Sequence, residues 1–417
     1  MKNQTRKIIA LLLSLVMVLA LTACGSSASS TAATTSTASE DASTEEAPAE
    51  ATLTIGVIGP MTGSLALYGT GISEGAELAV SEINAAGGLK VGDTTYTLVT
   101  ETKDDQGDST ECLNAMNSLI ADGVQFVVGS ATSGCSSAIT STANSEQVLM
   151  ITPSGTSDAL TSTMDYVFRT CFADSFQGKL AAQWCLDNGY TNVGIVYCSA
   201  DTYSAGLRDS FTSACAERDI TIVAEESVAT MTETDYTNQF TKMVQAGAEV
   251  VFTPFYYDVM GPYLVLQARS VGYSGILLGC DGVDNTQDYI PDGADLSAFN
   301  DVYFTNVYSA DAAGSEVGAS YVSAYEAAYG KTPNMFNAMA YDAVYVYAQA
   351  IQESGSVAAS DVQAYMADTT HYYDRVGGNY CFDATGTPIK DGVLQGFTYT
   401  EGDSAVQRTT FSVLSLG

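Results

Sequence analysis

From residue 53 onward the chain alternates two patterns: short unbroken apolar runs, and longer stretches whose apolar residues return at helical spacing. The run 53–58 ends in Gly59-Pro60 and predicts a strand. Residues 70–86 carry Ile72, Ala76, Ala79, Val80 and Ile83 on one helical face, and Gly87-Gly88 stops them. Strands are then predicted at 96–100, 125–128 and 148–151, with helices at 109–121 and 136–145 between them. A second series follows: helix 176–188, strand 192–197, helix 203–218, strand 220–224, helix 236–246, strand 249–252, helix 259–271 and strand 275–278. Strands alternating with helices of this length build parallel sheets with helices on both faces, and two series predict two α/β lobes. The last third is less regular. Residues 317–329 and 335–353 read as helices broken at Pro333, and short alternating strands such as 380–382 and 397–399 follow Gly377-Gly378.

The N-terminus carries a different signal. Lys2, Arg6 and Lys7 precede the apolar run 8–21, the form of a secretory leader whose core is too short to span a bilayer. It ends in Leu21-Thr22-Ala23-Cys24-Gly25, which resembles the lipobox of bacterial lipoproteins. That resemblance implies a leader over 1–23 and a lipid on the Cys24 sulfur, anchoring an extracytoplasmic protein to the cell membrane. An ordinary leader with an incidental cysteine is the other reading. Residues 25–52 are Ser, Thr, Ala and Glu with one Pro, too poor in apolar groups to fold, so 24–52 is expected to be a disordered tether. As a flexible coil it would reach roughly 30 Å. The body beyond it is too long for one ordinary core, in keeping with two lobes.

Charge and cysteine content narrow the chemistry. The formal charge is −33, and removing the leader takes away three positive charges and no acid. Such a chain repels nucleic acid. With Cys24 lipidated, eight of the nine cysteines remain, which allows 105 pairings. There is no Cys-x-x-Cys and only one histidine, His371, so neither a metal site nor a redox cofactor is expected. Cys198 and Cys280 follow predicted strands and read as small buried hydrophobes. Cys112 and Cys135 begin two helices expected to lie side by side, which leaves a disulfide between them open.

In open parallel sheets, ligands bind outside the carboxyl ends of the strands. The segments there are GPMTGSLALYG (59–69), GSATSGCSS (129–137), TPSGTSDAL (152–160), YCSADTYSAG (197–206), TPFYYDVMG (253–261) and GCDGVDN (279–285). The first-lobe segments are rich in Ser, Thr and Gly, and small hydroxyls beside free N–H groups at helix starts make anion sites. Those of the second lobe bring Tyr203, Tyr256 and Asp281. One wall thus suits a carboxylate and the other an ammonium, the two ends of a zwitterion. Taken singly, Ser133, Ser154, Thr156 and Asp281 are also ordinary cap or turn residues. Tyr203 and Tyr256 alone would pass for core or surface among 25 tyrosines.

The opening IGVIGPMTGSLALYGTGISEGAELAVSEINAAGGLK resembles that of the leucine–isoleucine–valine-binding proteins, substrate-binding components of branched-chain amino-acid ABC transporters. DDQGDSTE, FVVGSATSG, LMITPSGTSDAL, FRTCFADSFQG, QARSVGYSG, GCDGVDN and YDAVYVYAQAI follow in that family's order. The resemblance covers about 53–417 and implies a type I periplasmic-binding clamshell, each lobe a doubly wound, mostly parallel sheet. It implies an N-terminal lobe from 53–173 plus 306–373 and a C-terminal lobe from 174–305 plus 374–417. Three hinge crossovers are expected near Ala173, Thr305 and Asp374. It further implies that Ser133 and Thr156 hold the α-carboxylate, and that the Ser154 carbonyl and Asp281 take the ammonium. Tyr203 and Tyr256 would close over the ligand, and Tyr68 would line the side-chain pocket.

Two departures stand out. The best-known branched-chain binders carry Glu where this chain has Asp281. Their N-terminal-lobe disulfide lacks its cysteines here, the matching positions being Gly107 and Thr132, and Cys112–Cys135 is the available substitute.

The function implied is a lipid-anchored monomer that binds a branched-chain or other small amino acid and hands it to an ABC permease. The ATPase would be another chain, since no G-x-x-x-x-G-K-[ST] occurs. The alternative is a sensory or scavenging lipoprotein binding a small amide or related solute. An enzyme is not expected. His371 has no nucleophile motif beside it, G-x-S-x-G is absent, and Asp104-Asp105 reads as a strand-end cap facing solvent or hinge.

Overall fold

The computed structural model describes residues 49–312 and 315–415. The leader, Cys24 and the tether up to residue 48 lie outside the described residues. The first sheet holds β1 (Ala49–Gly59), β2 (Leu89–Val91), β3 (Thr94–Asp104), β4 (Phe126–Val128), β5 (Leu149–Thr152) and β6 (Val167–Arg169), in the order β2-β3-β1-β4-β5-β6. Every pairing is parallel except the β2–β3 hairpin. β4, β5 and β6 are buried along their whole length, so they read in sequence as unbroken apolar runs, as covered parallel strands do. Between them run α1 (Ala66–Ala85), α2 (Ser109–Ala121) and α3 (Ser133–Glu146). Asp108 caps α2 through the N–H groups of Thr110 and Glu111, and Thr132 caps α3 through Cys135.

The chain then builds a second sheet. Its elements are α4 (Asp174–Asp187), β7 (Asn192–Cys198), α5 (Thr202–Ala216), β8 (Thr221–Val228), α6 (Thr237–Ala246), β9 (Val250–Phe252), α7 (Tyr257–Val259), α8 (Val265–Ser270), β10 (Ile276–Gly279) and β11 (Val302–Asn306). A π-helical turn, Met260–Leu264, joins α7 to α8. α9 (Glu316–Tyr329), α10 (Met335–Ser354) and α11 (Ala359–Met366) return to the first sheet, where the Tyr347 hydroxyl donates to the carbonyls of Val127 and Leu149, each at 2.8 Å. A small hairpin, β12 (Tyr373–Arg375) and β13 (Gly378–Tyr380), precedes β14 (Gly392–Thr398), antiparallel to β11, and β15 (Gln407–Leu414), antiparallel to β14, which extend the second sheet. The second sheet runs β15-β14-β11-β10-β9-β7-β8. This is the α/β architecture of two mostly parallel sheets.

Several expectations shift. The tether was expected to reach residue 52, but Ala49–Thr52 already pair with Thr94–Thr97. A sheet edge offers backbone partners that need no apolar side chains. β6, β11 and α11 are not among the elements read from the periodicity. The chain passes between the sheets after β6, where Ala173 precedes α4, again after β11, which holds Thr305, and a third time before β14. That third passage comes well past Asp374. Phe382 first packs on Phe168, and the Gly386 carbonyl accepts from the Arg169 N–H at 3.1 Å. Asp104 does cap, accepting from the N–H of Met61 at 2.9 Å, but Asp105 faces neither solvent nor hinge: it is buried and takes the Ser130 hydroxyl. The eight cysteines from Cys112 to Cys381 are buried free thiols, so Cys112 and Cys135 are not joined here. A hydrogen bond that the Cys112 thiol donates to Cys135, then burial, push that thiol far up.

α1 and α10 pack backbone to backbone. A Cβ on Gly75 would lie 2.0 Å from the Asn337 carbonyl oxygen, so Gly75→Ala must push the helices apart. Overpacking of this kind costs about 1–3 kcal/mol, and the urea midpoint of the folded body should fall accordingly.

Candidate ligand-binding site

The carboxyl ends of both sheets face one cleft. From the first sheet, Ser133 opens α3 and its Oγ accepts the Ser157 N–H at 3.3 Å, while the Ser154 hydroxyl donates to the Ala131 carbonyl at 2.8 Å. Thr156 is fully buried, with its hydroxyl beside the Asp174 carboxyl. Tyr68, on the first turn of α1, reaches across the cleft and donates to the Gly282 carbonyl.

From the second sheet, Asp281 follows β10 in a short 3-10 turn, 2 % exposed. Its Oδ1 accepts from the Gln177 amide at 2.8 Å and from the Tyr203 hydroxyl at 3.0 Å. Both side-chain bonds fall on Oδ1, and the backbone of Gly282 and of Asp281 itself also favours the ionised carboxylate. The Gln177 oxygen in turn accepts the Asp281 N–H at 3.2 Å and the Thr305 hydroxyl at 2.9 Å, so one amide from α4 fixes both backbone and side chain of the acid. Burial pushes the Asp281 carboxyl up to about 6, against the lowering effect of the Gln177 and Tyr203 hydrogen bonds. Tyr256 stacks on Tyr203 at 5.2 Å between ring centroids and donates to Asp201.

Of the seven residues expected at a ligand site, Tyr68, Ser133, Ser154, Tyr203, Tyr256 and Asp281 line one small cavity of ≈ 10 Å³. Thr156 is not in its wall and lies in the layer behind. Two larger grooves, ≈ 820 and ≈ 520 Å³, hold none of the seven. Four further groups were not read from the sequence. Phe336 stacks on Tyr68 at 4.0 Å and lines the cavity. Asp174, Gln177 and Arg169 sit buried behind the walls. Phe336 lies far along the chain from the strand ends, and its only local mark is the capping box of Asn334 and Asn337 that opens α10. Burial pushes the Asp174 carboxyl well above its ordinary range, against the lowering effect of the Thr156 hydroxyl.

The lobes are closed over the cavity. The Tyr257 hydroxyl donates to the Ser64 carbonyl at 2.6 Å, and the Asn334 amide donates to Asn285 at 2.6 Å. Asp284 takes the Met335 N–H at 3.3 Å and pairs with Arg408, which also donates to the Pro333 carbonyl.

The sequence profile of the periplasmic binding protein family matches residues 52–398. The chain belongs to that family. Leu/Ile/Val-binding protein homolog 3 of Brucella melitensis is 34% identical over 324 residues, covering 78% of this chain and 84% of the relative. The leucine-, isoleucine-, valine-, threonine- and alanine-binding protein of Pseudomonas aeruginosa is 28% identical, over 84% of this chain and 90% of its own length. Among solved structures, the branched-chain amino acid transporter substrate binding protein LivJ of Streptococcus pneumoniae, in complex with isoleucine, superposes with a TM-score of 0.75 at 30% identity. It covers 86% of this chain and 99% of its own. Family members of this kind are extracytoplasmic substrate-binding proteins, a non-enzymatic class, and the fold is that of the type I periplasmic-binding proteins.

Proposed function

We propose that this chain is the lipid-anchored substrate-binding protein of an ABC importer, and that it carries an amino acid, branched-chain or another small one, in the inter-lobe cleft. One observation carries the reading: Asp281, the one carboxylate of its wall, lines a small inter-lobe cavity together with Ser133 and Ser154 of the other lobe. An α-amino acid is a zwitterion that spans such a pair of walls. Its carboxylate takes the Ser133 hydroxyl, with Thr156 in the layer behind that wall. Its ammonium takes the Ser154 carbonyl and Asp281. Tyr203 and Tyr256 cover it from the second lobe, and Tyr68 with Phe336 face its side chain. The relatives named for leucine, isoleucine and valine, and the isoleucine complex, support the ligand class. A solute-binding protein of Rhodopseudomonas palustris in complex with 3,4-dihydroxybenzoic acid shares only 20% identity and supports the fold alone.

Closure delivers Asp281 to the ammonium only when the lobes are shut, so the ligand favours the closed state selectively. Cys24 would hold the protein to the membrane by its lipid, and the permease would take the ligand from the closed form. Calorimetric titration of residues 25–417 with the twenty amino acids and their carboxamides tests the ligand class. Tight binding of leucine, isoleucine, valine or another small amino acid is expected. Binding confined to amides would turn the reading toward a sensory or scavenging lipoprotein, and no binding at all would sink it.

A further inference from the structure

Arg169 is a fully buried cation with no acidic partner among the described residues. It is the last residue of β6, 0 % exposed, and appears in none of the ion pairs. Its Nη1 donates to the carbonyls of Gly155 at 3.2 Å and Thr156 at 2.7 Å. Its Nη2 donates to the Ser157 carbonyl at 2.8 Å and the Thr161 hydroxyl at 3.0 Å. Nε is buried without a partner. A charge removed from water is expensive unless an opposite charge compensates it, and carbonyl dipoles compensate only in part. The nearby acid, Asp174, makes no ion pair with Arg169, and burial raises its carboxyl.

The three carbonyls that Arg169 gathers belong to consecutive residues, 155 to 157, of one loop. A loop whose carbonyls are all drawn to one side turns its N–H groups to the other, the geometry by which backbone nests hold anions. Two of the donors on that loop already have protein partners: the Gly155 N–H goes to Thr152 Oγ1 at 2.8 Å and the Ser157 N–H to Ser133 Oγ at 3.3 Å. The Thr156 hydroxyl, fully buried, lies beside the Asp174 carboxyl and acts to lower its proton affinity. A buried cation without an ion pair thus holds, from β6, the three-residue loop that lies beside Ser133.

We propose that Arg169 is the positioning residue of the carboxylate subsite: it shapes the 155–157 loop through three carbonyls, and its charge is balanced by the carboxylate of the bound ligand. The inference rests on the amino-acid reading above and adds the electrostatic partner of its anionic end. Arg169 does not touch the ligand. It acts through the loop, and its charge is felt across a short, dry path where screening by water is weak.

The test separates this role from mere support of the fold. Wild-type 25–417, Arg169→Lys and Arg169→Met are titrated with L-leucine, L-isoleucine, L-alanine and the carboxamide of each, and a urea curve is run on each protein. The carboxamide keeps the ammonium and side chain and deletes the negative charge. Wild type should prefer acid over amide, and Arg169→Met should lose about ten- to a hundredfold in affinity for the acid while affinity for the amide barely changes. Arg169→Lys, which keeps the charge but not the fork, should fall between them and covers the case in which the methionine variant does not fold. Equal losses for acid and amide in the lysine variant would make Arg169 purely structural and overturn the inference while the amino-acid reading stands. A wild type that does not distinguish acid from amide, or binds neither, would overturn both.

Discussion

Asp281→Ala is expected to weaken amino-acid binding a hundredfold or more, with the folded body intact. Asp281 is the one carboxylate in the cavity wall, and its Gln177 and Tyr203 bonds hold it in place without neutralising it. Deleting it leaves a ligand ammonium enclosed with only carbonyl and hydroxyl partners. Removing one member of a buried pair costs roughly 3–5 kcal/mol, and each 1.4 kcal/mol is about a decade in affinity. The loss should appear mainly as faster release, since the second lobe no longer gains from closing. Unchanged affinity by calorimetry would remove Asp281 from the site. Asp281→Asn should lie between, because the amide fits the space and accepts one hydrogen bond without the charge.

The second large effect is on pH. Burial raises the Asp281 carboxyl to about 6, so the closed protein without ligand holds a proton there that an unfolded chain gives up near its ordinary carboxylate range. The folded state therefore binds more protons than the unfolded one between those limits, and the contribution of Asp281 to stability falls as pH rises from about 4 to 6. A ligand ammonium favours the ionised acid and relieves that penalty. Affinity should be flat above about pH 7 and fall roughly tenfold per unit below about pH 6. Ligand-induced stabilisation should likewise be larger at pH 7.5 than at pH 5. Dissociation constants measured from pH 4.5 to 8 on wild type and Asp281→Ala check this. A profile equally steep in the variant would assign the proton to another group, such as Asp174 or Asp201, whose carboxyls burial also raises.

Much of this arrangement was legible in the chain. The alternation of apolar runs and helical spacing located most of the parallel strands, because β4, β5 and β9 are covered on both faces and carry few polar residues. The rule that ligands bind past strand ends then singled out segments holding Tyr68, Ser133, Ser154, Tyr203, Tyr256 and Asp281, which the fold gathers in one cavity. What stayed hidden depends on distant pairing. Phe336 reaches the cavity only because α10 returns to the first sheet after the chain has built most of the second. Gln177 and Arg169 are polar residues with no local motif, and they acquire meaning only through partners on other elements, Asp281 for one and the 155–157 loop for the other. The third passage between lobes comes later than Asp374 because the β12–β13 hairpin pairs only with itself and the chain then packs back on β6 before reaching β14.

The orientation of the ligand is the centre of the account, and a crystal structure of residues 25–417 with its bound amino acid measures it most directly. The ammonium nitrogen should lie about 2.7–3.1 Å from the Asp281 carboxylate, with the ligand carboxylate against Ser133 and the 155–157 loop. A ligand bound the other way round, or one whose ammonium finds no carboxylate within hydrogen-bond reach, would contradict it.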